Sequence, residues 1–309
     1  MSHGGAMRSR NAGRIGERLW YLGREESGVY LLEGDACSLI ISGGMSYLAP
    51  VVRTQLGEFG IDEKKLKKLL ILHSHFDHVG LVPFFRRRYP DLRVYASARA
   101  WQILQMPKGI ETINASGRLV AERMGVTGWL EGFDLEWRSD GAGGVVSEGD
   151  RIDLGGLTVQ ILETPGHSSC SVSAYIPEIR ALFPSDGGGI PYKEMILPSG
   201  NSNFTQYQRS LEKLKSLKVD MFCADHYGYA TGEDAENIIF RSIEAARDYR
   251  AMVEGIYRRT NSIDATVEAL VTDRYSRVPD FIIGPEIYTG VCRQTVRHIA
   301  GAMGENGQG

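Results

Sequence analysis

Apolar residues occur in short runs over the first two thirds of the chain and at helical spacing over the last third. "LWYLG" at 19–23, "GVYLLEG" at 28–34 and "CSLIISGG" at 37–44 predict three strands separated by glycine and aspartate. "MSYLAPVVRTQLGEFG" spaces its apolar side chains as a helix does. "KKLLILH" predicts a strand buried on both sides, "VGLVPFFRRRYP" a helix, and "LRVYAS" another strand. "ARAWQILQM" and "INASGRLVAERMG" predict further helices, so strands alternate with helices packed outside them. From Val145 the texture changes. "VVSEGDRIDLGGLTVQILETPGH" predicts antiparallel strands turning at "LGG", and "CSVSAYIPEIRALFPSD" a hairpin turning at Pro177–Glu178. "FTQYQRSLEKLKSLKVDMFCADH" predicts a helix feeding a strand.

After Thr231 the apolar spacing is helical in "AENIIFRSIEAARDYRAMVEGIYRRT", "SIDATVEALVTDRY" and "IYTGVCRQTVRHIAGAM". The expected organisation is a disordered stretch over 1–13, a core over 14–231 and a helical extension over 232–309. This tail is expected to pack on the core rather than build a large core of its own. Two sets of strands, each followed by helices, fit an α/β four-layer sandwich.

Composition adds bounds. The chain has 309 residues, 24% of them charged, with a net charge of −3. A chain of this length buries a core without a structural metal, so a metal is expected to do chemistry. The mixed charge argues against a nucleic-acid partner. The arginines of "FFRRRYP" complement a helix C-terminus instead of forming a binding patch. Cys37, Cys170, Cys223 and Cys292 form no CxxC pair and read as thiols of a reducing compartment. No run of about 18 apolar residues occurs, so no membrane span is expected. The opening residues show no secretory pattern, and a cytoplasmic location is the expectation.

The chemistry sits in "ILHSHFDHVG" at 71–80, which holds three of the seven histidines. Alternate residues of an extended chain share a side, so His73 and His75 can face one point. Asp77 and His78 follow at the next turn and can face a second. His167 ends "LETPGH", Asp186 ends "ALFPSD" and His226 ends "DMFCADH", each at the end of a predicted strand. Imidazole and carboxylate together suit zinc, iron and related metals. One such histidine is usually a hydrogen-bonded core residue; five with one placement point to metal.

"HSHFDH", "TPGHS", "FPSD" and "ADH" resemble, in order and spacing, the metal motifs of the metallo-β-lactamase superfamily. The resemblance implies an αββα sandwich with two divalent metals, zinc or iron, with manganese as a third option. It implies that His73, His75 and His167 hold one metal, that Asp77, His78 and His226 hold the other, and that Asp186 bridges them. Two departures stand out: "ISGG" replaces a "DTG"-like turn, and Ala224–Asp225 replaces the usual "PG" before the last histidine. Asp225 then either orients an imidazole or faces solvent.

Two metals sharing a hydroxide make a metal-dependent hydrolase that needs no serine or cysteine nucleophile, with Asp77 and Asp186 as its catalytic carboxylates. Ser168, Ser169 and Cys170 read as turn or packing residues. Tyr192 and Tyr227 are candidates to hydrogen-bond a substrate oxygen, with packing as the alternative. His3 and His298 are expected outside the site. Within the superfamily, the "HFDHVGLVPFF" segment, the "GG" turn and the helical tail resemble the quinolone-signal-response type of thioesterase. That likeness implies a catalytic core over 14–231, a lid formed by the helical extension over 232–309, and a small-molecule acyl thioester or ester substrate. A lactonase or phosphodiesterase, or a regulatory protein retaining the fold, are the alternatives. A homodimer through the tail is a further expectation.

Overall fold

The computed structural model of the chain describes residues 7–139, 143–279, 281 and 283–306. They divide into two compact units. The first takes in the described parts of Met1–Glu163, Cys170–Asp186 and Lys218–Asn237. It carries two seven-stranded sheets.

The first sheet runs Gly13–Gly16, Leu19–Arg24, Ser27–Glu33, Ser38–Ile41, Leu66–Leu70, Arg93–Ser97 and Gly144–Val146. Its first four strands are antiparallel neighbours, and from Ser38–Ile41 onward the pairs are parallel. Alternation divides its side chains. Leu19, Tyr21, Tyr30, Leu32, Leu39, Ile41 and Leu70 join the core shared with the second sheet. Their neighbours Leu22, Leu31, Ile40 and Leu69 are also fully buried. Helices Ala49–Glu58 and Ala98–Gln105 contact strands of this sheet, and Gln55 bonds both backbone groups of Gly23 at 2.7 and 3.0 Å. Burial of both faces explains the near-continuous apolar runs of these strands.

The second sheet runs Met7–Ser9, Tyr229–Thr231, Met221–Cys223, Ala181–Phe183, Val172–Ile176, Thr158–Glu163 and Arg151–Asp153. Val159, Ile161, Val172, Ala174, Ile176 and Phe183 face the first sheet, and Phe183 meets the Tyr30 ring edge-on at 5.2 Å. Each such aliphatic side chain contributes about 1.5–3 kcal/mol by leaving water. The result is the expected α/β sandwich.

Several expectations change. Met7–Ser9 pairs with Tyr229–Thr231, and Gly13–Gly16 with Leu19–Arg24, so the expected disorder over 1–13 does not extend through these strands. His3 lies outside the described residues. Gly144–Val146 is not part of the antiparallel set that follows it; it pairs parallel with Arg93–Ser97 at the edge of the first sheet. A three-residue strand has too little periodicity to announce its sheet. The predicted helix at 79–90 starts only at Val82, after a separate turn Phe76–Val79.

The second unit comprises Thr164–Ser169, Gly187–Leu217 and the described part of Ile238–Gly309. It holds helices Phe204–Leu214, Ile263–Arg277 and Pro285–Asn306, and helix Glu233–Thr260 from Ile238 onward. Phe204, Leu211, Val253, Val267, Leu270 and Val296 are buried. Ser242 donates to the Gly188 carbonyl at 2.7 Å, and Arg250 donates to Thr205 and Gln208 at 3.1 and 2.9 Å. The tail therefore shares a core with residues 187–217, which the division at 231 had assigned elsewhere. No described helix is long and apolar enough to cross a membrane.

Candidate metal centre

The ligand-type residues of the first unit stand at the carboxyl ends of parallel strands. Leu66–Leu70 continues as extended chain: Ile71 N–H donates to the Tyr95 carbonyl at 2.8 Å, and the Leu72 carbonyl accepts from Val172 N–H at 2.9 Å. The sheet bonds end there, and His73-Ser74-His75 leave it. His75 caps the turn Phe76–Val79, and His78 N–H donates to the His75 carbonyl at 3.0 Å. In the other sheet, Ala181–Phe183 and Met221–Cys223 are parallel neighbours. Asp186 lies three residues past the first and His226 three past the second, so the two are delivered side by side. Open α/β sheets present their ligand sites at strand carboxyl ends in this way.

Glycine lets the turn approach. A Cβ on Gly43 would lie 2.6 Å from the His78 carbonyl oxygen and 2.8 Å from Val82 Cγ2. The carbonyls of Gly43 and Gly44 accept from Leu81 and Gly80 N–H at 2.7 and 2.8 Å. The "ISGG" departure thus supports the ligand-bearing turn through backbone.

The donor atoms converge. His73 Nε2 lies 3.1 Å from His75 Nδ1. His78 Nε2 lies 3.3 Å from both His226 Nε2 and Asp186 Oδ2. Asp77 Oδ2 is 3.5 Å from His78 Nε2 and 3.4 Å from His226 Nε2. His73 and His78 are fully buried, and Asp77, Asp186 and His226 nearly so. Asp77, His78 and His226 each place one ligand atom within 4.8 Å of the others, as do His73, His78 and Asp186.

The opposite ring nitrogens are tied off. His226 Nδ1 is 2.7 Å from the Glu26 carbonyl oxygen, and His78 Nδ1 is 2.7 Å from Asp225 Oδ2. Such contacts leave Nε2 as the ligand atom and orient the ring. Asp225 therefore neither faces solvent nor serves its neighbour His226: it holds His78. His167 belongs to the second unit, where it is buried with Nδ1 2.8 Å from the Ser199 carbonyl oxygen.

Burial opposes charge on Asp77, but His78 and His226 outweigh it and hold the carboxyl well below its usual range. Burial likewise disfavours the His78 cation, and the charges of Asp77 and Asp186 push it well above the usual value. His226 is pushed to about 9, as Asp186 and Asp77 overcome burial. Two imidazoles that face each other while two carboxylates hold protons on them form a pocket that a divalent cation can take over.

The remaining candidates have the following surroundings. Tyr192 is a buried residue of the second unit, in the strand Ile190–Tyr192. Tyr227 has φ +61° and its N–H donates to the Glu25 carbonyl at 2.5 Å, while the Arg10 guanidinium lies 5.6 Å from its ring centre. His298 is exposed on Pro285–Asn306. Cys170 is buried, with its thiol 3.3 Å from the Ser74 hydroxyl. Sequence reasoning missed Ser185, whose hydroxyl donates to Asp225 and lies 3.2 Å from His73 Nδ1. Its only signal was its position beside Asp186.

Known proteins resemble this chain. A family model described as the metallo-beta-lactamase superfamily matches residues 22–226. A metallo-beta-lactamase fold-containing protein of Sulfurisphaera tokodaii is 25% identical over 203 residues, 65% of this chain and 72% of its own. A probable metallo-hydrolase of Bacillus subtilis is 26% identical over 65% of this chain and 84% of its own. A hydroxyacylglutathione hydrolase of Ruegeria pomeroyi is 26% identical, with 62% of each chain covered. A beta-lactamase domain protein from Burkholderia ambifaria superposes with a TM-score of 0.70 at 15% identity, covering 96% of this chain and 88% of its own. At that identity the likeness concerns the fold.

Proposed function

The chain belongs to the metallo-β-lactamase superfamily, and from that premise we propose that it is a two-metal hydrolase of acyl thioesters. The observation that carries this reading is the convergence of buried Asp77, His78, Asp186 and His226: each imidazole Nε2 of His78 and His226 lies 3.3–3.7 Å from the other and from an oxygen of both carboxylates. His73 and His75 are proposed ligands of one divalent metal, zinc or iron. Asp77, His78 and His226 would hold a second, with the Asp186 carboxylate as a further ligand. When bound, such ions supply a water that ionises near neutral pH and a Lewis acid for the acyl oxygen.

The protein's own part is orientation and protection. Glu26 and Asp225 fix the rings of His226 and His78 through Nδ1. The buried strand ends keep bulk water from competing for the ligand atoms. Asp77, held well below its usual range by His78 and His226, keeps a negative charge beside the imidazoles that offsets the positive charge of a bound cation.

The choice of bond follows from the leaving group. Among the described residues of the first unit, every histidine is a candidate ligand, so no imidazole is left to protonate a departing group. A thiolate departs without that help, since thiols ionise near pH 8.5 and alcohols far higher. Several similar proteins are named hydroxyacylglutathione hydrolases, and an acyl conjugate of glutathione is a thioester. The likeness to the quinolone-signal-response branch is a proposal of the same bond. The test is a panel of acyl thioesters, lactones and phosphodiesters with zinc- or iron-loaded protein. Thioesters hydrolysed fastest support the reading; turnover confined to lactones or phosphodiesters replaces it.

A further inference from the structure

We propose that Ser185 and Asp225 are positioning residues that link His73 to His78 through one ordered chain of hydrogen bonds. Ser185 Oγ donates to Asp225 Oδ2, and lies 3.2 Å from His73 Nδ1 and 3.4 Å from His78 Nδ1. Asp225 Oδ2 is in turn 2.7 Å from His78 Nδ1.

Proton counting fixes the direction. A serine hydroxyl has one proton and a carboxylate oxygen has none. With the Ser185 proton directed to Asp225, its oxygen can only accept, so the proton it receives belongs to His73 Nδ1. Asp225 Oδ2 likewise accepts from His78 Nδ1. Both rings then present Nε2 as the ligand atom. The two segments that deliver Asp186 and His226 thus each deliver, one residue earlier, the group that orients a histidine of the first motif.

Two features set this apart from incidental packing. Ser185 has φ +49°, a left-handed conformation costing a residue with a Cβ about 1–2 kcal/mol. Asp225 is 2% exposed, and its Oδ1 is buried with no hydrogen-bond partner among the described residues. A buried carboxylate with one oxygen unsatisfied is costly where an apolar residue would serve packing better. Both costs make sense if what is retained is the hold on His73 and His78.

The inference rests on the ligand assignment proposed above, and the two can fail separately. The direct readout is long-range proton–nitrogen NMR of histidine-labelled wild-type protein, with and without zinc. A proton on Nδ1 of both His73 and His78 is expected. Zinc bound but no proton on these atoms overturns the relay; no zinc bound at all overturns the assignment. In variants, zinc affinity is measured by competition with a coloured chelator. Asp225→Ala should lose about ten- to a hundredfold and disturb both rings. Ser185→Gly, which tolerates the positive φ, should disturb His73 and leave the His78 contact. Asp225→Asn, which keeps an acceptor oxygen, should recover part of the loss. Wild-type affinity and unchanged ring signals in Asp225→Ala overturn the proposal. Should that variant not fold, the wild-type spectrum decides.

Discussion

The imidazole of His226 meets the backbone carbonyl of Glu26 at 2.7 Å across 200 residues of chain. The contact is one of a set. Gly28 N–H donates to the Asp225 carbonyl at 2.8 Å, and the Tyr30 hydroxyl lies 2.6 Å from the Ala224 carbonyl and 3.2 Å from that of Gly228. The hairpin of the first sheet thereby clasps the turn that carries the last candidate ligand. Tyr30→Phe removes the hydroxyl and leaves buried carbonyls short of a donor. A loss of about 1–3 kcal/mol is expected in urea unfolding of the metal-free protein, with weaker zinc binding in the same variant. Unchanged stability would mean that the clasp does not depend on this hydroxyl.

His75→Ala and Asp186→Ala test the ligand assignment. Each removes one donor while leaving the strands before it intact, since both residues lie beyond the last strand bond. Metal per chain by elemental analysis and thioester turnover should fall together, with the circular dichroism spectrum of the wild type retained. Turnover that persists at full rate in either variant would remove that residue from the site.

Gly43→Ala tests the support beneath the ligand turn. Its Cβ would lie 2.6 Å from the His78 carbonyl oxygen and 3.0 Å from Val79 Cα, both backbone atoms that cannot step aside as a side chain can. A cost of about 1–3 kcal/mol is expected, with reduced zinc affinity, because the displaced backbone carries His78. Gly57→Ala is the control. A Cβ there meets nothing within 4 Å on helix Ala49–Glu58, and a gain of about 0.5–1 kcal/mol is expected. Equal effects at the two positions would contradict the close-approach argument.

Much of this arrangement was legible in the chain itself. The strand ends at His73, Asp186 and His226 could be read because apolar runs stop abruptly at polar side chains of the kinds that ligate metals. The three tail helices could be read because their apolar spacing is helical over long stretches. What escaped had no periodic signal. Met7–Ser9 and Gly144–Val146 are three-residue strands whose place depends on distant partners. The boundary at 231 followed the change from strands to helices, yet residues 187–217 bury their apolar faces with the tail. Asp225 pairs with His78, 147 residues away, although its sequence neighbour is His226. Orientation of one ring by a distant carboxylate is a property of topology, and local sequence does not encode it.

The charge arrangement predicts how the metal-free protein responds to pH. His226 is pushed to about 9 against an ordinary value of 6.5, and His78 is pushed well above it. A group that binds its proton more tightly in the folded state stabilises that state below its unfolded pKa. The contribution is lost as pH rises through the folded one. Stability from these histidines is therefore complete near pH 6 and declines from about pH 6.5 toward pH 9. Asp77, held low by the same imidazoles, acts in the opposite sense: its contribution is present above its ordinary value of 3.8 and lost as pH falls through its lower folded value. Urea unfolding of chelator-treated protein should thus give a higher midpoint at pH 6 than at pH 9. Zinc reverses the slope, because the ligand nitrogens must give up their protons to bind it. Zinc-loaded protein should gain stability over the metal-free form as pH rises from 6 to 8. Zinc binding at pH 7.5 should also release protons, seen as a calorimetric heat that changes with the ionisation enthalpy of the buffer. A binding heat independent of buffer would mean that His78 and His226 carry no protons for the metal to displace.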